Sequence, residues 1–356
     1  MTTVALAISP PHEDVLHRLE DVCEQRGAPD LAVRLAELRR FIQGDLAEVE
    51  ASLGAVDALE TPLHKTAHHL LSLEGKRLRP MCVAVAARLG AGWSPAVRDL
   101  AVAVELVHSA TLLHDDVVDV GDVRRGAKAA RVIYGNAASI FGGDWLLVEA
   151  LTRIRKTGLP DVLDRMLDVL KQMLVAEAFQ LKARGSVRGS AADYFRIVEG
   201  KTAALFQWAM FAGGRAGGVP LEVCRALEAY GRHLGVAFQM VDDVLDLSGD
   251  SLVVGKSLFA DLREGKMTYP LLLAVERDPD LGGRIEQASA GGGLTADEAL
   301  ERRAAASLRA TGAIDDCLAV ARRLSSQAIV CLAPLPSGRA RDALESIAVA
   351  TLERRK

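Results

Sequence analysis

Two short stretches carry carboxylates at a spacing that can do chemistry: Asp115-Asp116-Val117-Val118-Asp119 and Asp242-Asp243-Val244-Leu245-Asp246. Each has the form DDxxD inside an apolar run compatible with a helix. On a helix, positions i and i+4 share a face, so Asp115 sits over Asp119 and Asp242 over Asp246. Like charges at that spacing repel, and a divalent cation removes the cost. Carboxylate oxygens without His or Cys partners suit Mg²⁺, which keeps waters and shares the phosphates of a substrate. One such cluster reads equally well as a solvated acidic face. Two copies, each flanked by apolar residues, point instead to buried helices sharing an ion site.

Carboxylates with Mg²⁺ imply a polyanionic substrate, which also needs cationic contacts. These occur in compact groups: Lys76-Arg77-Leu78-Arg79, Arg124-Arg125, Lys201-Thr202, Lys256 and Arg263-Glu264-Gly265-Lys266. Arg forks onto phosphate oxygens, and Lys supplies a mobile point charge. Any one of these residues alone is an ordinary solvated cation. Their arrangement around the aspartates gives them the second reading.

The elements that must position these groups are helices. The chain has 356 residues, 50% hydrophobic and only 4% aromatic, with an apolar mass of Ala, Leu and Val. That composition suits helices packed on helices and excludes a disordered chain. Ala-Leu-rich segments of 3.6-residue period alternate with Gly/Pro breaks, and Thr295 with Glu298 reads as a capping box. No period-2 run stands out, and no Asn-Gly or Asp-Gly hairpin joins β-branched runs. Residues 1–35 are polar and weakly periodic, an accessory segment or frayed helix. Residues 36–356 read as one all-α helical bundle around a central cavity, with the two DDxxD helices facing each other across its mouth.

The remaining features narrow the class. Lys and Arg total 43 against 47 Asp and Glu, a net charge of −4, so no basic field points to nucleic acid. Five scattered cysteines without CxxC spacing read as free thiols in a reducing cytoplasm rather than a zinc site. No stretch is long and apolar enough for a transmembrane span, and the N-terminus lacks the pattern of a signal peptide.

The ordered set GKRLRP, HDDVVDxxxxRRG, KTA, FQMVDDVLD and DLREGK resembles the trans-isoprenyl diphosphate synthases, or polyprenyl synthetases, from about residue 40 onward. The resemblance implies an enzyme that condenses isopentenyl diphosphate head-to-tail (1′-4) with an allylic diphosphate (dimethylallyl, geranyl, farnesyl or geranylgeranyl). It implies two or three Mg²⁺ per site, with Mn²⁺ able to substitute, held by Asp115, Asp116, Asp119, Asp242, Asp243 and Asp246. Arg124, Lys201, Thr202, Gln239, Lys256 and Lys266 would grip the allylic diphosphate, with Lys201 also counted as catalytic. Lys76, Arg79, His108 and Arg125 would hold isopentenyl diphosphate, with Arg77 nearby. A homodimer and a cytoplasmic location are implied, with transient membrane contact left open for release of an apolar product.

Product length depends on the floor beneath the allylic tail. Ala110 and Thr111, then Val107 and Leu106, lie on successive turns before Asp115, and the first two are small. With HSATLLHDDVVD and YGNAAS, they resemble octaprenyl-type synthases and imply a product longer than C20. A C20 product is the alternative. A terpene cyclase and a non-catalytic regulatory subunit fit less well, because both aspartate clusters are complete. Two departures stand out: Glu74 precedes Gly75, where the family usually has Gly-Gly, and Phe259 stands where the family often has Gly, two residues before Asp261.

Overall fold

A computed structural model of the chain describes residues 15–25, 27–56, 60–73, 75–187, 189–248, 258–289 and 298–354. The capping box expected at Thr295, and Lys256 with Glu74, lie outside these residues.

At the centre are two helices that are apolar on all sides. α5 (Pro95–Val118) buries an unbroken run from Leu100 to Val107. α10 (Ala204–Ala216) buries everything from Ala204 to Gly214 except Gln207. A helix apolar all round must be enclosed by other helices. Around α5 lie α4 (Leu78–Ala87), α7 (Asn136–Lys156), α10 and the long α2 (Pro29–Gly54). Around α10 lie α4, α5, α8 (Pro160–Ala183) and α11 (Leu221–Ser248). α11 approaches α10 closely because Gly235 has no side chain: a Cβ there would come 2.6 Å from the Ala203 Cα.

The remainder closes the bundle. α1 (Val15–Gln25) packs on α2 through Leu16, Leu19 and Cys23, and α3 (Pro62–Ser72) and the short α6 (Ala130–Tyr134) pack on α7. α2 runs straight through the expected boundary at residues 35/36, so its first turns belong to the bundle. α9 (Ala191–Val198) begins at a capping box made by Ser190 and Asp193 and leads through a π-turn at Glu199–Ala203 into α10. Short helix α12 (Ala260–Arg263) is followed by α13 (Tyr269–Arg277), α14 (Pro279–Ser289) and α15 (Glu298–Thr311). α16 (Ala313–Cys331) then packs along α11, and α17 (Arg339–Ala350) on α2.

Among the described residues the exception to all-helix is a minimal antiparallel ribbon, Val123–Arg124 with Ala127–Lys128. Its turn is Arg125-Gly126, with φ of 51° and 77°. Two consecutive positive φ angles are what a tight primed hairpin turn needs. The pair is Arg-Gly, not the Asn-Gly or Asp-Gly that marks such turns in a sequence.

Candidate active site

α5 ends at the first carboxylate cluster. Ser94 caps its start, accepting from the Val97 N–H at 3.3 Å, and Asp119 closes its end, donating its N–H to the Asp115 carbonyl at 2.8 Å. Each carboxylate meets a different cation. Asp116 is fully buried, and its Oδ1 accepts from Arg124 Nε at 2.8 Å and Nη2 at 2.5 Å. The Arg125-Gly126 turn is what folds Arg124 back onto it. Asp119 accepts from Lys266 Nζ at 2.8 Å on one oxygen and from Arg184 on the other. Asp115 lies 3.4 Å from Lys201 Nζ, which also meets Glu177 at 2.5 Å and Gln180 at 3.2 Å.

The protonation balance follows from these partners. Burial pushes the Asp115 carboxyl up and Lys201 opposes it; burial likewise raises Asp116 against the pull of Arg124. At Asp119 burial pushes the same way, but Lys266 and Arg184 outweigh it and hold the carboxyl below its ordinary range.

The second cluster lies on α11. Asp243 is buried, with Tyr194 donating to Oδ2 at 2.6 Å and Gln239 Nε2 to Oδ1 at 2.8 Å. Burial, then the charge of Asp261, raises its pKa well above the usual carboxylate range. Asp242 accepts from Arg354 at 3.0 Å, and that guanidinium lies 3.7 Å from the centre of the Phe238 ring. Asp246 serves the next turn: its Oδ2 accepts the Asp261 N–H at 3.2 Å and its carbonyl accepts the Phe259 N–H at 3.0 Å. Phe259 itself takes the left-handed conformation, φ 62°, that glycine would adopt without strain. The departure from the family's Gly therefore leaves the turn intact.

The two clusters meet at the π-turn. Lys201 touches Asp115, while the neighbouring Thr202 donates to Gln239 Oε1 at 2.9 Å, and Gln239 holds Asp243. Insertions of this kind in helices occur often at functional sites. Gln239 thereby links Thr202 to Asp243 and helps to orient that carboxylate.

A second basic group gathers below His108. Arg79 lies 4.7 Å from the Phe206 ring centre, and Arg125 donates to the Leu73 carbonyl at 3.2 Å. Burial, then the guanidiniums of Arg79, Arg125, Arg124 and Arg77, depress the His108 pKa well below its ordinary value. Lys76 is exposed at the head of α4. Arg77 departs from the expectation. It is buried, and it donates to Glu50 at 2.5 Å and to the buried Glu105 at 2.6 Å. Its guanidinium packs under Gly75, where a Cβ would come 2.5 Å from Nη1. Arg77 holds the turn that presents Lys76 and Arg79, and its own charge is spent on acids.

The expected floor residues are not brought to an open cavity. Leu106 and Val107 are fully buried and Ala110 is 1% exposed, because α5 is enclosed by α4, α7 and α10. Thr111 is half-buried, one turn below Asp115. A cavity of about 140 Å³ opens elsewhere, lined by Lys201, Thr202, Gln239, Asp243, Lys266 and Arg184.

Sequence reasoning missed Glu177 on α8, Arg184 just after it, Tyr194 on α9, Asp261 and Arg354. The acids and cations fit a divalent ion that arrives with a phosphate. Asp116 Oδ2 and Glu177 Oε1 are buried without a hydrogen-bond partner among the described residues, so acceptor capacity is left over. Among the described residues no three acidic, His or Cys side chains converge to hold an ion unaided. Oxygen donors that need phosphate to complete the shell are the Mg²⁺ pattern.

Comparison with known proteins gives concordant results. The polyprenyl synthetase family model matches residues 60–304. The octaprenyl diphosphate synthase of Escherichia coli K12 is 33% identical, over 90% of this chain and 99% of its own. Heptaprenyl diphosphate synthase component 2 of Geobacillus stearothermophilus is 32% identical, over 89% and 98%. A polyprenyl synthase of Caulobacter crescentus CB15, solved with calcium and isoprenyl diphosphate, superposes with a TM-score of 0.85 at 36% identity, covering 90% of this chain and 98% of that one.

Proposed function

The chain belongs to the polyprenyl synthetase family, and from that premise we propose that it joins isopentenyl diphosphate head-to-tail to an allylic diphosphate and makes a linear polyprenyl diphosphate longer than C20. The observation that carries the reading is the π-turn, whose adjacent residues Lys201 and Thr202 reach both carboxylate helices. A diphosphate held there would lie between two acidic clusters and several cations.

In this reading Lys201, Lys266, Arg124 and Thr202 bind and orient the allylic diphosphate, with Lys256 as a further contact. Lys76, Arg79, His108 and Arg125 hold isopentenyl diphosphate. His108 stays neutral and donates a hydrogen bond rather than a charge. Asp115, Asp116, Asp119, Asp242 and Asp243 would hold Mg²⁺, with Asp246 anchoring the 259–261 turn. Bound Mg²⁺ supplies charge neutralisation for the departing diphosphate. The allylic C1–O bond breaks with its electrons going to the diphosphate. The double bond of isopentenyl diphosphate attacks C1, and a proton from its C2 passes to the released diphosphate. Lys201 and Lys266 stabilise the charge that develops on that leaving group. The calcium bound by the Caulobacter relative supports an oxygen-ligated divalent ion.

Among the described residues no helix is long and apolar enough to cross a membrane, and a cytoplasmic enzyme fits. We place a homodimer contact on the outer face of α7 and α8. There Phe141, Val148 and Leu174 are 60%, 63% and 71% exposed, an apolar stripe that a partner would cover. Turnover of both substrates with Mg²⁺ is the test: Asp115→Ala and Asp242→Ala lower it by orders of magnitude while the fold persists. Full activity in excess EDTA contradicts the reading.

A further inference from the structure

Arg184 is a cation of this site that the motifs did not reveal, and its surroundings give it a task. It caps the end of α8 on the face that also carries Glu177 and Gln180, at helical spacings of three and four. Those two residues hold Lys201, at 2.5 and 3.2 Å. One helix face thus places two cations at the cavity, Lys201 through its acceptors and Arg184 directly.

The backbone joins Arg184 to a third cation. The Gly185 N–H donates to the Gly265 carbonyl at 2.9 Å, tying the turn after α8 to the turn that carries Lys266. Through that tie Arg184 and Lys266 take the two oxygens of Asp119. Asp119 is thus shared between two cations, of which Lys266 also meets Glu264 while Arg184 has Asp119 as its acid partner among the described residues, and both line the cavity beside Lys201. Arg184 offers one Nη2 donor to Asp119, and its Nε is buried without a hydrogen-bond partner among the described residues. A guanidinium has five donors in a fixed fork. Among the described residues the fork is therefore largely unused, in a cavity that Lys201 and Lys266 also line.

Resting on the prenyltransferase reading of this site, we propose that Arg184 is a further ligand of the allylic diphosphate, held on Asp119 in the free protein and passed to the substrate's phosphate oxygens as Asp119 takes up its metal. The tie between Gly185 and Gly265 makes Arg184 and Lys266 move to the diphosphate as a pair. Isopentenyl diphosphate, gripped at the Arg79–His108–Arg125 end, does not depend on Arg184.

The test is Arg184→Gln, which removes the charge and leaves a shorter, polar side chain. Charge-assisted hydrogen bonds of this kind are worth about ten- to a hundredfold in affinity. KM for farnesyl diphosphate should rise by about that factor, with KM for isopentenyl diphosphate within about twofold of the wild type. Calorimetric titration of inorganic diphosphate with Mg²⁺, with no turnover, should show the same loss of affinity. An unchanged diphosphate affinity overturns the proposal, even if kcat falls, because Arg184 would then only position Asp119. A similar rise in both KM values overturns it too. If Arg184→Gln melts early, Arg184→Lys is read by the same titration and should lose a smaller factor. Wild-type protein without turnover would instead point to failure of the prenyltransferase reading.

Discussion

Removing the Arg77 charge separates a structural role from a substrate-binding one. Arg77 and Glu105 have side chains only 7% and 3% exposed, 2.6 Å apart, and Glu50 lies 2.5 Å from the same guanidinium. Arg77→Met leaves Glu105 charged and buried. Breaking one partner of a buried pair costs about 3–5 kcal/mol. Two features place this case at the lower end: Arg125 remains 3.8 Å from Glu105, and Glu50 is 47% exposed and can be solvated. A loss of about 3 kcal/mol corresponds to a fall in Tm of roughly 4 °C in a chain of this size. The assay is thermal unfolding of Arg77→Met, Glu105→Leu and the double variant. The double variant should fall short of the sum of the singles by about 1–3 kcal/mol, the range for residues in direct contact. Steady-state kinetics of Arg77→Met should show no selective rise in KM for isopentenyl diphosphate. Unchanged melting with a tenfold rise in that KM alone refutes the reasoning and returns Arg77 to the substrate.

Thr111→Phe should shorten the product, because Thr111 is half-buried one turn below Asp115; an unchanged product length shows that α5 is not the floor. Ala110→Phe should instead cost about 1–3 kcal/mol in melting experiments, since α7 lies so close that a Cβ on Gly143 would come 3.0 Å from the Ala110 carbonyl. Val120, at φ 56° and 66% exposed, is a β-branched residue in the left-handed region; Val120→Asn should raise stability by about 1 kcal/mol, and a lower Tm contradicts this. Burial and the surrounding guanidiniums keep the His108 pKa depressed. Below about pH 6.5 the unfolded chain gains a proton there that the folded one refuses, so stability falls as pH drops, by up to about 1.4 kcal/mol per unit. His108→Asn should flatten that slope in denaturant titrations at pH 5.5 and 7; equal slopes would show that His108 titrates freely.

Much of this molecule is written locally. The 3.6-residue period and the Gly/Pro breaks mark the helices, and DDxxD puts carboxylates on one helical face without any knowledge of the fold. The unread parts depend on distant partners or on backbone conformation. Arg77 sits among Lys76 and Arg79 and reads as one of a basic trio until Glu50 and Glu105 arrive from other helices. Arg354 reaches Asp242 from the far end of the chain, and Tyr194 reaches Asp243 from α9; no local spacing announces either. The primed turn at Arg125-Gly126 lacks the usual residue pair. The floor residues follow the same logic: small side chains mark a place where helices approach as readily as a place left open, and α7 fills that place against Ala110.

The most direct test of the account is product sizing. Purified protein is incubated with farnesyl diphosphate, excess isopentenyl diphosphate and Mg²⁺, and the hydrolysed alcohols are separated by reversed-phase chromatography. The account predicts metal-dependent elongation to a linear product longer than C20. Elongation that stops at C20 contradicts the long-chain assignment, and an absence of elongation contradicts the proposed reaction itself.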